Sequence, residues 1–234
     1  YKVAELQKFD HWRDTLIAHF GDSISRLPVD NDQCRTIYGA LEIIRNEMVW
    51  KLRPNVIWET SNGCPLLSAE TMVNMKFGAC LDYVTIAVAT FRSFGIPAFI
   101  DNVPVWGRHN QGHFWFAFMS DNGILTPTEE DVTSSAGWGF FPYQRFPKIF
   151  RYSYCMDREI VRYQNTAKFK HPINQFKHDV TDLYYRTEDI NIEVRKGVKL
   201  KDKYVYIASF SNNDGPQWTI LDYGRIKKGK ACFN

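Results

Sequence analysis

The hydrophobic periodicity of this 234-residue chain changes twice, and those changes constrain its fold more than any other feature. In the first third, Val3, Leu6, Phe9, Trp12, Leu16, Ile17 and Phe20 recur near a 3.6-residue spacing. This predicts a helix over 3–20 that Gly21 stops. Ile37, Leu41, Ile44 and Met48 repeat the pattern in a second helix over 32–51, which Arg53-Pro54 ends. After a polar, turn-rich stretch the same period returns over 80–94, closed by Gly95 as a C-terminal cap.

Elsewhere the period moves toward two. Residues 96–100 and 113–119 read as strands, Asp121-Asn122-Gly123 as a hairpin turn, and 124–128 as the returning strand. Beyond Pro147, the runs 148–156, 190–194, 203–210 and 217–222 suit short strands between polar turns. The expected class is α+β. A core over 1–170 carries N-terminal helices and the 80–94 helix packed on an antiparallel sheet, and a small, sandwich-like all-β module follows over 175–234. No closing strand is evident before Asn234, so the module reads as truncated, with the natural chain running on.

Composition excludes several classes. At 44% apolar and 24% charged residues the chain can pack a core and is not a disordered one. Its 29 basic against 26 acidic residues are too even for a nucleic-acid-binding protein. The longest stretch without Asp, Glu, Lys or Arg, 132–144, is far short of the ~20 residues of a membrane-spanning helix. The five cysteines, Cys34, Cys64, Cys80, Cys155 and Cys232, are odd in number and lack CxxC or CxxH spacing, which argues against a zinc site. Hydrolase elbows, HExxH, phosphate loops and calcium loops are absent, and neither a metal nor another cofactor is expected. The basic run 225–230 reads as an exposed turn of the β module, and 168–171 is similar.

One constellation carries chemistry. Gly78-Ala79-Cys80 stands at the start of an apolar helix, where unpaired N–H groups and the helix dipole favour a thiolate. His113 follows Gly112 and opens an aromatic-rich strand. A cysteine at a helix start and a histidine on a strand are the parts of thiol nucleophilic catalysis, in which the imidazole handles the proton and a third group orients it.

Gly78-Ala79-Cys80, then Phe91-Arg92-x-x-Gly95-Ile96-Pro97, then Gly112-His113-Phe114-Trp115, resembles the core of the transglutaminase-like superfamily, a papain-like group of cysteine-nucleophile enzymes. The matching stretch runs from about Gly78 to Asp131. The resemblance implies Cys80 as nucleophile and His113 as general base, with the Cys80 backbone N–H helping to hold an oxyanion. The family orients its histidine with an Asp in a Trp-x-Pro-x-Asp-Pro-Thr run. Here the corresponding stretch is Thr126-Pro127-Thr128-Glu129-Glu130-Asp131, so Glu129 takes the Asp position, and a shifted register gives Asp131 or Thr126 instead. Asn74 is a candidate side-chain oxyanion donor, His109 a groove residue in the 108–111 loop, and Trp115 a neighbour of the site or core. Trp106, Trp138, Phe140 and Phe141 are candidates for an aromatic wall.

The activity this implies is acyl transfer through a Cys80 thioester, first of all hydrolysis of an amide in a peptide, protein or glycopeptide. The alternative is a scaffold of the same fold that binds peptide or glycan polymers without turnover. The chain begins at Tyr1, which reads as a processed or excised piece. With the two-part layout, this suggests a bacterial protein exported to the periplasm, cell surface or medium.

Overall fold

The computed structural model describes residues 11–25, 32–52, 55–56, 68–106, 112–123, 125–127, 148–167, 175–195, 197, 202–211 and 216–233. The chain forms two compact units, Tyr1–Ile100 with Phe114–Phe141, and Asp101–His113 with Pro142–Asn234. The architecture is α+β, with helices and antiparallel strands.

The first unit is mostly helical. Helix α1 spans Trp12–Phe20 and buries Leu16 and Phe20. Residues 3–10 of the expected helix lie outside the described residues. Gly21 interrupts rather than stops it: its φ is an ordinary −81°, its N–H bonds the Ile17 carbonyl, and the chain re-enters helix as α2, Asp22–Ser25. The second expected helix divides into a 3₁₀ turn, Asp32–Arg35, and α3, Ile37–Leu52, whose buried side is Leu41, Ile44, Met48 and Leu52. Two-residue strands β1 (Asn55–Val56) and β2 (Phe77–Gly78) pair in parallel around α4, Ala69–Met75. Helix α4 has too few turns to show a period. Its start is written instead in Ser68, whose hydroxyl accepts the Thr71 N–H at 3.1 Å.

Helix α5 runs Cys80–Ser93 and ends as its sequence predicts. Gly95, at φ +83°, donates to the Arg92 carbonyl, and Ile96 donates to that of Phe91 at 2.9 Å. These are the two bonds of a Schellman cap, closed by the buried pair Phe91 and Ile96. The chain then enters β3 (Ala98–Val103), β4 (His113–Met119) and β5 (Leu125–Pro127). Strand β5 pairs antiparallel with β4 after the 121–123 turn, Met119 opposite Leu125. Side chains of α1, α3, α4 and α5 share one core with Ala98, Phe116 and Phe118 of the strands.

The second unit begins within β3. Its latter half pairs antiparallel with β6 (Phe150–Tyr152), Asp101 opposite Arg151, and β6 pairs with β7 (Lys177–Asp179). Within this unit the order is β3-β6-β7. Of the strand expected over 148–156 only 150–152 is strand. Asp157 then caps α6, Arg158–Thr166, accepting the Glu159 and Ile160 N–H groups. Only Ile160 and Tyr163 of α6 are buried, so it offers little apolar stripe to read.

Strands β8 (Ile190–Glu193), β9 (Tyr204–Ser211) and β10 (Gln217–Arg225) fall on the expected runs. Strands β9 and β10 form an antiparallel hairpin with a bulge between Ile220 and Asp222. The closing strand that is not evident in the sequence is present as β11, Lys230–Phe233, antiparallel to β8. Its four residues, only two of them buried, are too brief to advertise themselves.

Candidate active site

The site residues are best built from α5. Ala79 is the N-cap in extended backbone, so Cys80 is the first helical residue. The first-turn N–H groups of any helix lack intrahelical acceptors and carry its positive end. Cys80 is a half-buried thiol at that position. Two contacts fix the turn that presents it. Tyr83, fully buried, donates its hydroxyl to the Lys76 carbonyl at 3.0 Å, which ties the segment after α4 to α5. Gly78 packs so closely on Asp82 that an added Cβ would lie 2.9 Å from the Asp82 Cβ, so only glycine leaves the approach open.

Asp82 is the neighbour that sequence reasoning missed. It stands at the third helical position, and its Oδ2 accepts the Ala79 N–H at 2.9 Å, as the acidic residue of a capping box does. The positive end of the helix dipole favours a thiolate at Cys80. The signal that could have found Asp82 is the acid three residues after the N-cap.

The other residues of the resemblance have local roles. Arg92 donates its Nε to the Ala98 carbonyl at 2.8 Å, and the Met119 N–H bonds the Pro97 carbonyl at 2.9 Å. The Arg-x-x-Gly-Ile-Pro run thus joins the end of α5 to β3, and β3 to β4. Asn74 is exposed on α4. Trp115 is buried, 1% exposed.

His113 belongs to the second unit and opens β4 half-buried, its ring stacked on Trp106 with centroids 6.1 Å apart. Cys80 belongs to the first unit. His109, Glu129, Asp131, Trp138, Phe140 and Phe141 lie outside the described residues, and of Thr126 only the backbone is described, opposite Phe118.

Among the described residues, no group of three or more His, Cys, Asp and Glu side chains is placed to hold a metal ion. Nor is any helix among them long and apolar enough to cross a membrane. Cys155 and Cys232 are exposed thiols.

The second unit holds two charged clusters that the sequence did not announce. Arg151 meets the fully buried Asp101 with a two-pronged bond, Nε to Oδ1 at 2.7 Å and Nη2 to Oδ2 at 2.6 Å, and the Tyr184 hydroxyl donates to the same carboxylate. Lys148 bridges Asp179 and Asp222. Burial alone would lower the Lys148 pKa, but its bonds to the two carboxylates hold it above the usual value. Burial pushes the Asp222 carboxyl up against the pull of Lys148. Both clusters join strands to one another and have the form of structural ties.

No protein-family model, no curated protein and no solved structure matches this chain.

Proposed function

We propose that this chain is a thiol-dependent amide hydrolase or acyl transferase of the transglutaminase-like, papain-like kind. Cys80 is the nucleophile and His113 the general base in this reading, and the substrate is a peptide, protein or glycopeptide. The observation that carries it is the position of Cys80, a half-buried thiol on the first residue of a 14-residue helix. The order of elements lends support: the cysteine helix passes through Gly95-Ile96-Pro97 into β3, and His113 opens the next strand. An exported location accompanies the proposal.

The Cys80 thiolate adds to the amide carbonyl carbon, and the displaced electron pair on oxygen is held by the Cys80 N–H. Collapse of this adduct breaks the C–N bond. The His113 imidazolium gives its proton to the leaving amine, and a thioester remains. Neutral His113 then takes a proton from water, or from an acceptor amine, as that molecule attacks the thioester carbon. Expulsion of the thiolate completes hydrolysis or transamidation. Glu129 orients the imidazole.

A second reading is favoured by the sequence at 126–131, which has Glu129 where the family's Asp orients the histidine. It is a protein of this fold that binds peptide or glycan polymers without turnover. The rate of Cys80 alkylation by iodoacetamide against pH separates the two, read by mass spectrometry on the Cys80 peptide because Cys155 and Cys232 are also exposed. An active pair gives fast alkylation well below the ordinary thiol value of ~8.5. It also gives a drop of about tenfold or more in His113→Ala, and no amide turnover in Cys80→Ser. Alkylation that follows an ordinary thiol and ignores His113→Ala overturns the catalytic reading.

A further inference from the structure

Three short segments of the second unit meet at one end of the β9–β10 hairpin. The Val194 N–H bonds the Gly229 carbonyl, and the Ile226 N–H bonds the Lys203 carbonyl, each at 2.8 Å. Lys227 and Lys230 exchange backbone bonds at 2.8 and 3.0 Å across Lys228 and Gly229, both of which have positive φ, as a tight I′ turn requires. These bonds gather Arg195, Lys203, Arg225, Lys227, Lys228 and Lys230, all exposed, around the turn. The carboxylates in the same segments are Glu193 and Asp202.

Six cations against two carboxylates is a surplus of four in a chain whose whole net charge is +3, so the rest of the chain is close to neutral. Glu193 pairs with Lys230 at 2.7 Å, and Asp202 accepts the Tyr206 hydroxyl. Among the described residues, no carboxylate pairs with Arg195, Lys203, Arg225, Lys227 or Lys228. Folding has therefore concentrated unpaired positive charge at one exposed turn, although self-repulsion opposes it.

We propose that this turn docks the protein on an anionic phospholipid surface. Lysines supply four of the six cations, and lysine is a hydrated point charge rather than a planar fork. That suits a diffuse array of headgroup phosphates better than recognition of one site. Strand readers of nucleic acid and polysaccharide interleave cations with stacking rings. The segments at this turn, 193–195, 202–203 and 225–230, contain no aromatic residue. Residues 227–230 are exposed without a break, so the turn can meet a planar partner.

The test is co-sedimentation of the 234-residue chain with vesicles of phosphatidylcholine alone and with about one third phosphatidylserine. Binding is expected only to the anionic vesicles and is expected to vanish at high salt, since screening shortens the reach of exposed charges. Lys227→Gln with Lys228→Gln should weaken it about twentyfold or more, at about fivefold for each lysine. Arg158→Gln with Arg186→Gln, an equal charge loss at exposed positions away from the turn, should leave it unchanged. Equal weakening by both pairs would reduce the effect to net charge and overturn the proposal. So would binding to duplex DNA or a sulfated polysaccharide without binding to anionic vesicles. Cys80→Ser should bind vesicles as the native chain does, which keeps this test independent of the proposed catalysis.

Discussion

In the first unit the buried described side chains are mostly apolar, with Thr90 and the Tyr83 hydroxyl among the exceptions; in the second they include Asp101, Asn102, Arg151 and Thr181. The helical core fills the space between α1, α3, α4, α5 and the strands with residues such as Phe20, Ile44, Met48 and Phe91. The second unit joins its strands through Asp101–Arg151–Tyr184 and Lys148–Asp179–Asp222, and lays α6 on its hairpin through tyrosines. Tyr163 stacks on Tyr223 at 3.9 Å and meets Tyr204 edge-on at 5.0 Å. A hydrocarbon core is non-directional and tolerates adjustment. Buried polar ties demand particular partners, and an unpartnered member is costly.

The largest effects should come from breaking each unit at its characteristic tie. Phe91→Ala leaves a cavity in the first unit and should cost about 3–5 kcal/mol in urea denaturation. Asp101→Ala strands the Arg151 guanidinium in the interior and should cost a similar ~3–5 kcal/mol. The two units part company in the repair. Replacing the pair together, Asp101→Leu with Arg151→Met, should recover most of the loss, because exchanging a buried ion pair for apolar residues is often near neutral. A double variant as unstable as Asp101→Ala would show that the Tyr184 bond, not the ion pair, holds the strands.

Alkali should separate the units next. Burial raises the pKa values of Tyr163, Tyr206 and Tyr223, Tyr223 to about 12, and the bond to Asp202 raises that of Tyr206 further. These phenols stay neutral in the fold while the unfolded chain ionises near 10.0. Their contribution is therefore intact below pH 10 and lost as pH climbs toward the folded values. The share of tyrosinate absorbance that belongs to these three phenols, out of twelve tyrosines, should lag until the second unit opens, and Tyr223→Phe should flatten the fall in stability above pH 10. Loss in Tyr223→Phe of a component that titrates near pH 10 with the fold intact would refute the buried cluster.

Helix caps should erase the difference, because they act locally. Ser68→Ala in the first unit and Asp157→Ala in the second should each cost ~1 kcal/mol in denaturation experiments. The smallest effect is expected at His19. Burial first, and then Lys51, lower its pKa below 6.5, so its contribution is present above pH 6.5 and lost as pH falls through the lower folded value. His19→Gln should flatten stability between pH 7 and 5. Unchanged acid sensitivity in that variant would assign the loss to other groups.

The apolar unit is also the legible one. Leu41, Ile44 and Met48 can be read from their spacing alone as one buried stripe, and Phe91, Gly95 and Ile96 as a helix end, because a period and a cap are properties of neighbouring residues. Cys80 at a helix start and His113 at a strand start are legible for the same reason. Helix α6 and strands β7 and β11 are not, since α6 and β7 are short and mostly polar, β11 is only four residues long, and each is held by partners far along the chain.

The sequence by itself therefore determined the α+β class, the hydrocarbon core and the residue types available for thiol chemistry. Tertiary structure alone decided that Asp101 meets Arg151 50 residues away, and that Asp82 shares the first turn with Cys80 as a cap. It likewise decided that cations of three segments converge on one turn. Periodicity records what a residue does with its near neighbours, whereas a buried ion pair or a charge cluster depends on which distant segments the core brings together.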